Sequence, residues 1–162
     1  MAVLISDANI LIDVSVGELV REMFGLPYQF VVPDVLFFEE LETRHGTLLD
    51  YGLGIATLGP AGVGLVAELS QRHQRPGRND LFALALAVQE ECLLPTGDID
   101  LRRAAESEGV TVRGTIWLLT EMVRHHRMTV DLGIAALELM RTNGRRLPWQ
   151  LAATALRESS PG

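Results

Sequence analysis

The chain has 162 residues, 48% of them hydrophobic and 22% charged, and a net charge of −7. This fits one globular domain with a core of its own, and excludes a disordered or collagen-like chain. No apolar run reaches the roughly 20 residues a membrane helix needs, no basic stretch precedes an apolar one as in a secretion signal, and the single Cys92 cannot close an intramolecular disulfide, so the expectation is a cytoplasmic protein without a membrane partner.

The elements follow in order from periodicity and turn residues. Val3–Ile5 reads as a buried strand, and Ser6, Asp7 and Asn9 stand where it stops. Helical spacing then runs from about Asn9 to Phe24, until Leu26-Pro27 breaks it. Phe30–Val32 is a second strand, and Asp34 is placed to cap a helix over Val35–Thr43. Ile55–Leu58 is a third strand, and Pro60 opens a helix to His73. Asn79 is placed to cap Asp80–Glu91, almost wholly apolar after its first turn and therefore central. Cys92–Leu94 and Val110–Val112 are further strands, with a helix from about Asp100 to Glu108 between them. Helices then follow from Thr115 to about His126, from Thr129 to Met140, and from Pro148 to about Arg157. Strands alternating with helices predict an α/β fold with a parallel sheet and a C-terminal helical extension. The expected division is a core over 1–113, an extension over 114–158 packed on the same domain, and a flexible tail over 159–162.

Charge is distributed unevenly along this frame. Residues 1–100 carry 5 Arg and 15 acidic side chains, residues 101–162 carry 9 Arg and 6, and there is no Lys. Several acids fall at junctions: Asp7 after the first strand, Glu39 and Glu40 on the helix after the second, Asp80 in the first turn of the apolar helix, Asp98 and Asp100 after the fourth strand. In open parallel sheets ligands bind at the carboxyl ends of strands. Carboxylates gathered there repel one another unless some stay protonated or a cation sits among them, and oxygen-only ligands suit Mg²⁺ or Mn²⁺. Such a group can activate water for attack on a phosphodiester. Each acid alone also fits a cap or a turn.

Other chemistries lack their residues. Without Lys there is no P-loop, no G-x-G-x-x-G follows the first strand, and no G-x-S-x-G elbow is present. A phospho-accepting receiver domain needs an Asp at the third strand and a Lys after the fifth, and this chain has neither. The histidines at 45, 73, 125 and 126 sit near helix ends, where the plain reading is an exposed cation favoured by the helix dipole. Trp117 and Trp149 lie in apolar helical settings and read as core.

Four segments resemble the PIN-domain ribonucleases, which include the VapC-type toxins of bacterial toxin–antitoxin pairs. Ser6-Asp7-Ala8-Asn9-Ile10-Leu11-Ile12 is similar to the family's D-x-N-x-L-I opening, and Val32-Pro33-Asp34-Val35 with Glu40-Leu41 to its second strand and E-L helix. Asn79-Asp80-Leu81 with Ala83–Ala87 is similar to the D-x-x-A-L-A helix, and Leu93 to Leu101 to the L-T-x-D-x-D-L segment, with Pro95 a departure that removes a ladder donor. The resemblance implies a twisted parallel five-strand sheet flanked by helices, and metal-dependent hydrolysis of RNA in an acidic pocket holding Mg²⁺ or Mn²⁺. It implies Asp7, Glu40, Asp80 and Asp98 as catalytic metal-pocket acids, Asp100 as a supporting ligand, and Ser6, Asn9 and Thr96 as groups orienting the carboxylates. Glu39 competes with Glu40, since adjacent residues of an α-helix point about 100° apart. Arg102, Arg103, Arg145 and Arg146 are the candidate RNA contacts. An antitoxin protein is the implied partner and a homodimer an open alternative. The competing function is a PIN-fold binding or regulatory module acting through protein partners, with nuclease activity weak or lost.

Overall fold

The apolar run at the N-terminus forms strand β1 (Ala2–Ile5), and Asp7 starts helix α1 (Ala8–Val16) by accepting the Ile10 N–H at 3.1 Å. The computed structural model describes residues 1–159. Of the tail expected to be flexible, 160–162 lie outside the described residues, and Ser159 closes the last helix through an Oγ bond to Ala155 O at 2.8 Å.

The single helix expected from Asn9 to Phe24 is two. Helix α1 stops at Gly17, Glu18 turns through φ 59, and α2 (Val20–Phe24) begins afresh. Strand β2 (Tyr28–Pro33) pairs in parallel with β1 and with β3 (Gly54–Ala56). Between β2 and β3 the chain is helical but irregular: α3 (Asp34–Leu36), a π-helical turn over Phe37–Leu41, α4 (Glu42–His45), and a 3-10 segment over Gly46–Tyr51. The expected cap Asp34 lies inside α3, where its carboxylate accepts the Val35 N–H at 2.8 Å and the Thr57 hydroxyl at 2.9 Å.

Helices α5 (Pro60–Arg72) and α6 (Arg78–Glu90) lead to β4 (Leu94–Pro95), α7 (Ile99–Ser107) and β5 (Val112–Arg113). Helix α6 is central as its composition predicts, with Leu81 and Ala83–Ala87 buried. Strand β4 begins two residues later than expected. Glu91 adopts φ 51 and the Cys92 N–H still bonds Ala87 O at 3.1 Å, so Cys92 belongs to the turn out of α6, and Leu93 makes only the isolated bridge to Leu4.

In place of one five-strand sheet there are two parallel ladders, β1-β2-β3 and β4-β5. They meet at one bridge between Leu4 and Leu93, where Ile5 N–H donates to Leu93 O and Asp7 N–H to Pro95 O, both at 3.2 Å. Pro95 keeps this seam short. Its carbonyl accepts from the β1 side, but it has no N–H to return.

The chain ends in α8 (Thr115–Arg124), α9 (Val130–Thr142) and α10 (Trp149–Glu158). Helix α9 packs close on α1 at Gly17, where a Cβ would stand 2.6 Å from Met140 Cε. Two buried acids join these helices to the rest. Asp13 accepts the Thr115 hydroxyl at 2.9 Å and Arg145 Nε at 2.6 Å. Glu121, 3% exposed, accepts the Tyr28 hydroxyl and an Arg124 N–H. Burial and that carboxylate push the Tyr28 phenol up to about 12. Trp117 packs its ring 5.9 Å from that of Tyr28, as part of the core margin. Two histidines are less exposed than helix ends suggest. His73 Nε2 lies 2.7 Å from Glu108 Oε2, and His125 Nε2 lies 3.7 Å from Glu121 Oε1.

Candidate active site

The junctions after β1 and β4 set two helix caps near each other, because the seam between the ladders holds their backbones in register. Asp98 caps α7, its Oδ1 accepting the Leu101 N–H at 2.8 Å. Thr96 stands between the caps: its hydroxyl donates to Asp7 Oδ2 and accepts the Asp98 N–H at 3.0 Å. Thr96 and Asp7 are 0% and 1% exposed, and Asp98 is half-buried.

The third acid comes from α6. Gly77, not Asn79, is the cap of this helix, and Asp80 accepts the Gly77 N–H at 3.2 Å. Asn79 lies inside the first turn and gives its Nδ2 to Glu40 Oε2 at 3.0 Å, while its Oδ1 is buried without a hydrogen-bond partner.

The electrostatics tie these groups together. Burial pushes the Asp7 carboxyl up to about 7, against the Thr96 and Ile10 hydrogen bonds, and the charges of Asp80 and Asp98 push the same way. Burial also raises Asp80, against its bond from Gly77, with Asp98 and Glu40 adding to the rise. Asp80 and Asp98 thus act on Asp7, and Asp98 and Glu40 act on Asp80, which links the four acids in series.

The π-helical turn removes the expected choice between Glu39 and Glu40. Both line a depression of about 210 Å³ with Gly77, Arg78, Asn79 and Asp80. An α-helix would turn one of the pair away; the wider π turn lets both reach the start of α6. Their environments differ. Glu39 is paired with Arg78 at 3.2 Å, and Arg78 also lies over the Phe82 ring at 5.4 Å. Glu40 touches only the neutral Asn79 amide and acts on Asp80.

The remaining residues singled out by sequence are spread around this group. Ser6 is buried and gives its hydroxyl to the Asp7 carbonyl at 2.9 Å, so it braces the backbone and not the carboxylate. The Asn9 side chain is exposed, and only its carbonyl is engaged, by Arg145 at 3.4 Å. Asp100 lines a separate depression with Arg75 and Arg103. Arg145 is held by Asp13, Arg146 is exposed, and Arg102 lies near Gly114. Sequence reading missed Asn79 as a contact of Glu40; its place next to Asp80 was the available signal.

The donor set fits a hard divalent cation. The four acids offer oxygen only, and positive charge would relieve the burial and repulsion that raise Asp7 and Asp80. Among the described residues no three His, Cys, Asp or Glu side chains already converge as a cage.

Residues 3–161 match the family model DUF3368, described as a PIN domain. The chain belongs to the PIN-domain family. Among solved structures, it is similar to a PilT N-terminus domain protein from the hyperthermophilic archaeon Sulfolobus solfataricus, at 19% identity and a TM-score of 0.51, over 78% of this chain and 97% of that one. At that identity the likeness concerns the fold. No curated protein sequence matches significantly. PIN domains have a nuclease-type fold and generally use divalent metal ions. Among the described residues no helix is long and apolar enough to cross a membrane.

Proposed function

We propose that this PIN domain is a metal-dependent endoribonuclease that hydrolyses RNA phosphodiester bonds, and that it is the toxin of a toxin–antitoxin pair. The observation that carries the nuclease reading is geometric: the Thr96 hydroxyl bridges the Asp7 carboxylate and the Asp98 amide at the ends of β1 and β4, and Asp80 and Asp98 lie near enough for their charges to act on Asp7. Mg²⁺ or Mn²⁺, when bound, supplies the charge that neutralises these acids and activates water. The chain's own part is orientation. Thr96 and the Ile10 amide fix the two oxygens of Asp7, the Leu101 amide fixes Asp98, the Gly77 amide fixes Asp80, and Asn79 fixes Glu40 at the rim. Preset carboxylates need no rearrangement as charge develops on the phosphate.

The toxin assignment and an antitoxin partner rest on the resemblance to VapC-type proteins. One observation favours the second reading, a binding module with weak nuclease activity: Asp7 is 1% exposed, which leaves it almost no direct contact with solvent. The test is cleavage of a mixed RNA pool with Mg²⁺ or Mn²⁺, beside an EDTA control and Asp7→Asn. Cutting that requires both the metal and Asp7 is the expected result. Well-folded protein that cuts with neither ion overturns the nuclease and leaves the binding module.

A further inference from the structure

We propose that the depression between the end of α5 and α7 is a phosphate subsite, in which Arg75 and Arg103 hold a phosphodiester of the RNA strand whose scissile bond lies at the acidic group. This rests on the nuclease reading above.

The loop joining α5 to α6 borders two depressions. Through Gly77 it lines the one beside Glu40 and Asp80; through residues 73–76 it lines another, of about 390 Å³, closed by Asp100, Arg103 and Ser107. Asp100 lies two residues beyond Asp98, in the first turn of the helix that Asp98 caps. The second depression is therefore linked to the acidic group through the loop and through the first turn of α7.

Its walls are fixed by a clamp. Glu108, just past the end of α7, accepts Arg72 Nε at 3.1 Å and Nη2 at 3.0 Å, and lies 2.7 Å from His73 Nε2. Those bonds hold the Glu108 carboxyl below its usual range. They also tie the last turn of α5 to the last turn of α7 and occupy Arg72 and His73. Arg75 and Arg103 have no hydrogen bond or ion pair among the described residues. Arg78, Arg145 and Arg113 are engaged, by Glu39, Asp13 and the Val112 carbonyl; what sets Arg75 and Arg103 apart from other unpaired arginines, such as Arg21, Arg44 and Arg146, is that they line one depression together.

The depression thus offers two exposed, unpartnered guanidinium groups in a chain whose net charge is −7. Guanidinium is the group that matches phosphate oxygens in pairs. Gln74 and Ser107 add neutral donors at the margin. Asp100, which lines the same space, has no ion pair among the described residues and repels an anion from its own position, leaving the arginines as the anchor. Phosphate contacts of this kind set the register of a strand without reading its bases. Here they would hold the strand across the acids, which alone repel it.

The test is binding of a fluorescently labelled single-stranded oligoribonucleotide to the full chain in EDTA, read by anisotropy over a salt series. Arg75→Gln with Arg103→Gln is compared with Arg21→Gln with Arg157→Gln, which removes the same charge elsewhere on the exposed surface. The first pair is expected to weaken binding roughly tenfold and to lower the slope of log affinity against log salt by about 1.4, at about 0.7 per phosphate contact on a single strand. The second pair is expected to keep the wild-type slope. A wild-type slope in the first pair, an equal loss in both pairs, or a wild-type chain that binds no RNA overturns the subsite. Cleavage is scored separately. Arginine-independent binding with Asp7-dependent cutting removes the subsite and keeps the nuclease; arginine-dependent binding without cutting does the reverse.

Discussion

The Thr96 hydroxyl gives its single proton to Asp7 Oδ2 and receives the Asp98 amide at 3.0 Å, so one side chain sets the orientation of an acid 89 positions away in sequence. Thr96→Val keeps the shape and removes both bonds. It leaves a buried carboxylate oxygen without its donor, and the expected cost is about 1–3 kcal/mol at neutral pH, read from the urea midpoint. RNA cleavage is expected to fall with it, while a Thr96→Ser chain retains both properties.

Asp7 makes stability fall as pH rises. Its carboxyl titrates at 3.8 in the unfolded chain and at about 7 when folded. Below the lower value both states are protonated and the residue is neutral in effect. Between the two, the folded chain holds a proton the unfolded chain has released, so stability declines with rising pH; above the upper value the loss is complete. In EDTA, Asp7→Asn is therefore expected to stabilise the fold at pH 8 by no more than about a few kcal/mol, read as a higher melting temperature, and to give no gain near pH 4. A gain that grows toward acid pH would contradict this.

Glu39 and Glu40 separate by function despite lining the same depression. Glu40→Gln removes the free carboxylate beside Asp80 and is expected to lower cleavage roughly tenfold or more. Glu39→Gln removes a carboxylate already paired with Arg78 and is expected to change cleavage less than about threefold. Both positions are exposed, so neither change is expected to move the melting temperature by more than about a degree or two. Rates and melts on the two variants check this directly.

Arg145 is a structural arginine. Its partner Asp13 is 6% exposed and also holds Thr115. Arg145→Ala leaves that carboxylate without its cation, at a cost of about 1–3 kcal/mol, less than for a fully buried pair because the guanidinium reaches solvent. RNA affinity, compared at equal folded fraction, is expected to stay at the wild-type value.

The sequence carries the site unevenly, and the reasons are local. Asp7, Asp80 and Asp98 are legible because each stands where one periodicity gives way to another, which fixes its place at a strand or helix end. The approach of Glu39 to Arg78 is not legible, because a π-helical turn preserves a helical pattern of apolar residues while changing which side chains share a face. Asn79 looks like a cap by residue type, yet Asp80 binding back to the Gly77 amide moves the cap two residues earlier. Strand β4 is displaced because the left-handed turn at Glu91, a conformation usually marked by glycine, draws Cys92 into the turn out of α6. Glu121 is hidden for a different reason: its partner Tyr28 lies 93 positions away, and no local pattern records such a contact.

That separation is larger still for Asp13, whose partners Thr115 and Arg145 follow it by 102 and 132 positions. The carboxylate is made 132 residues before its guanidinium, and the pair forms only once that stretch has been synthesised. Until then α1 has neither its ion pair nor the cover of α9. A product terminated ahead of α9 therefore carries an uncovered apolar helix that proteases can reach.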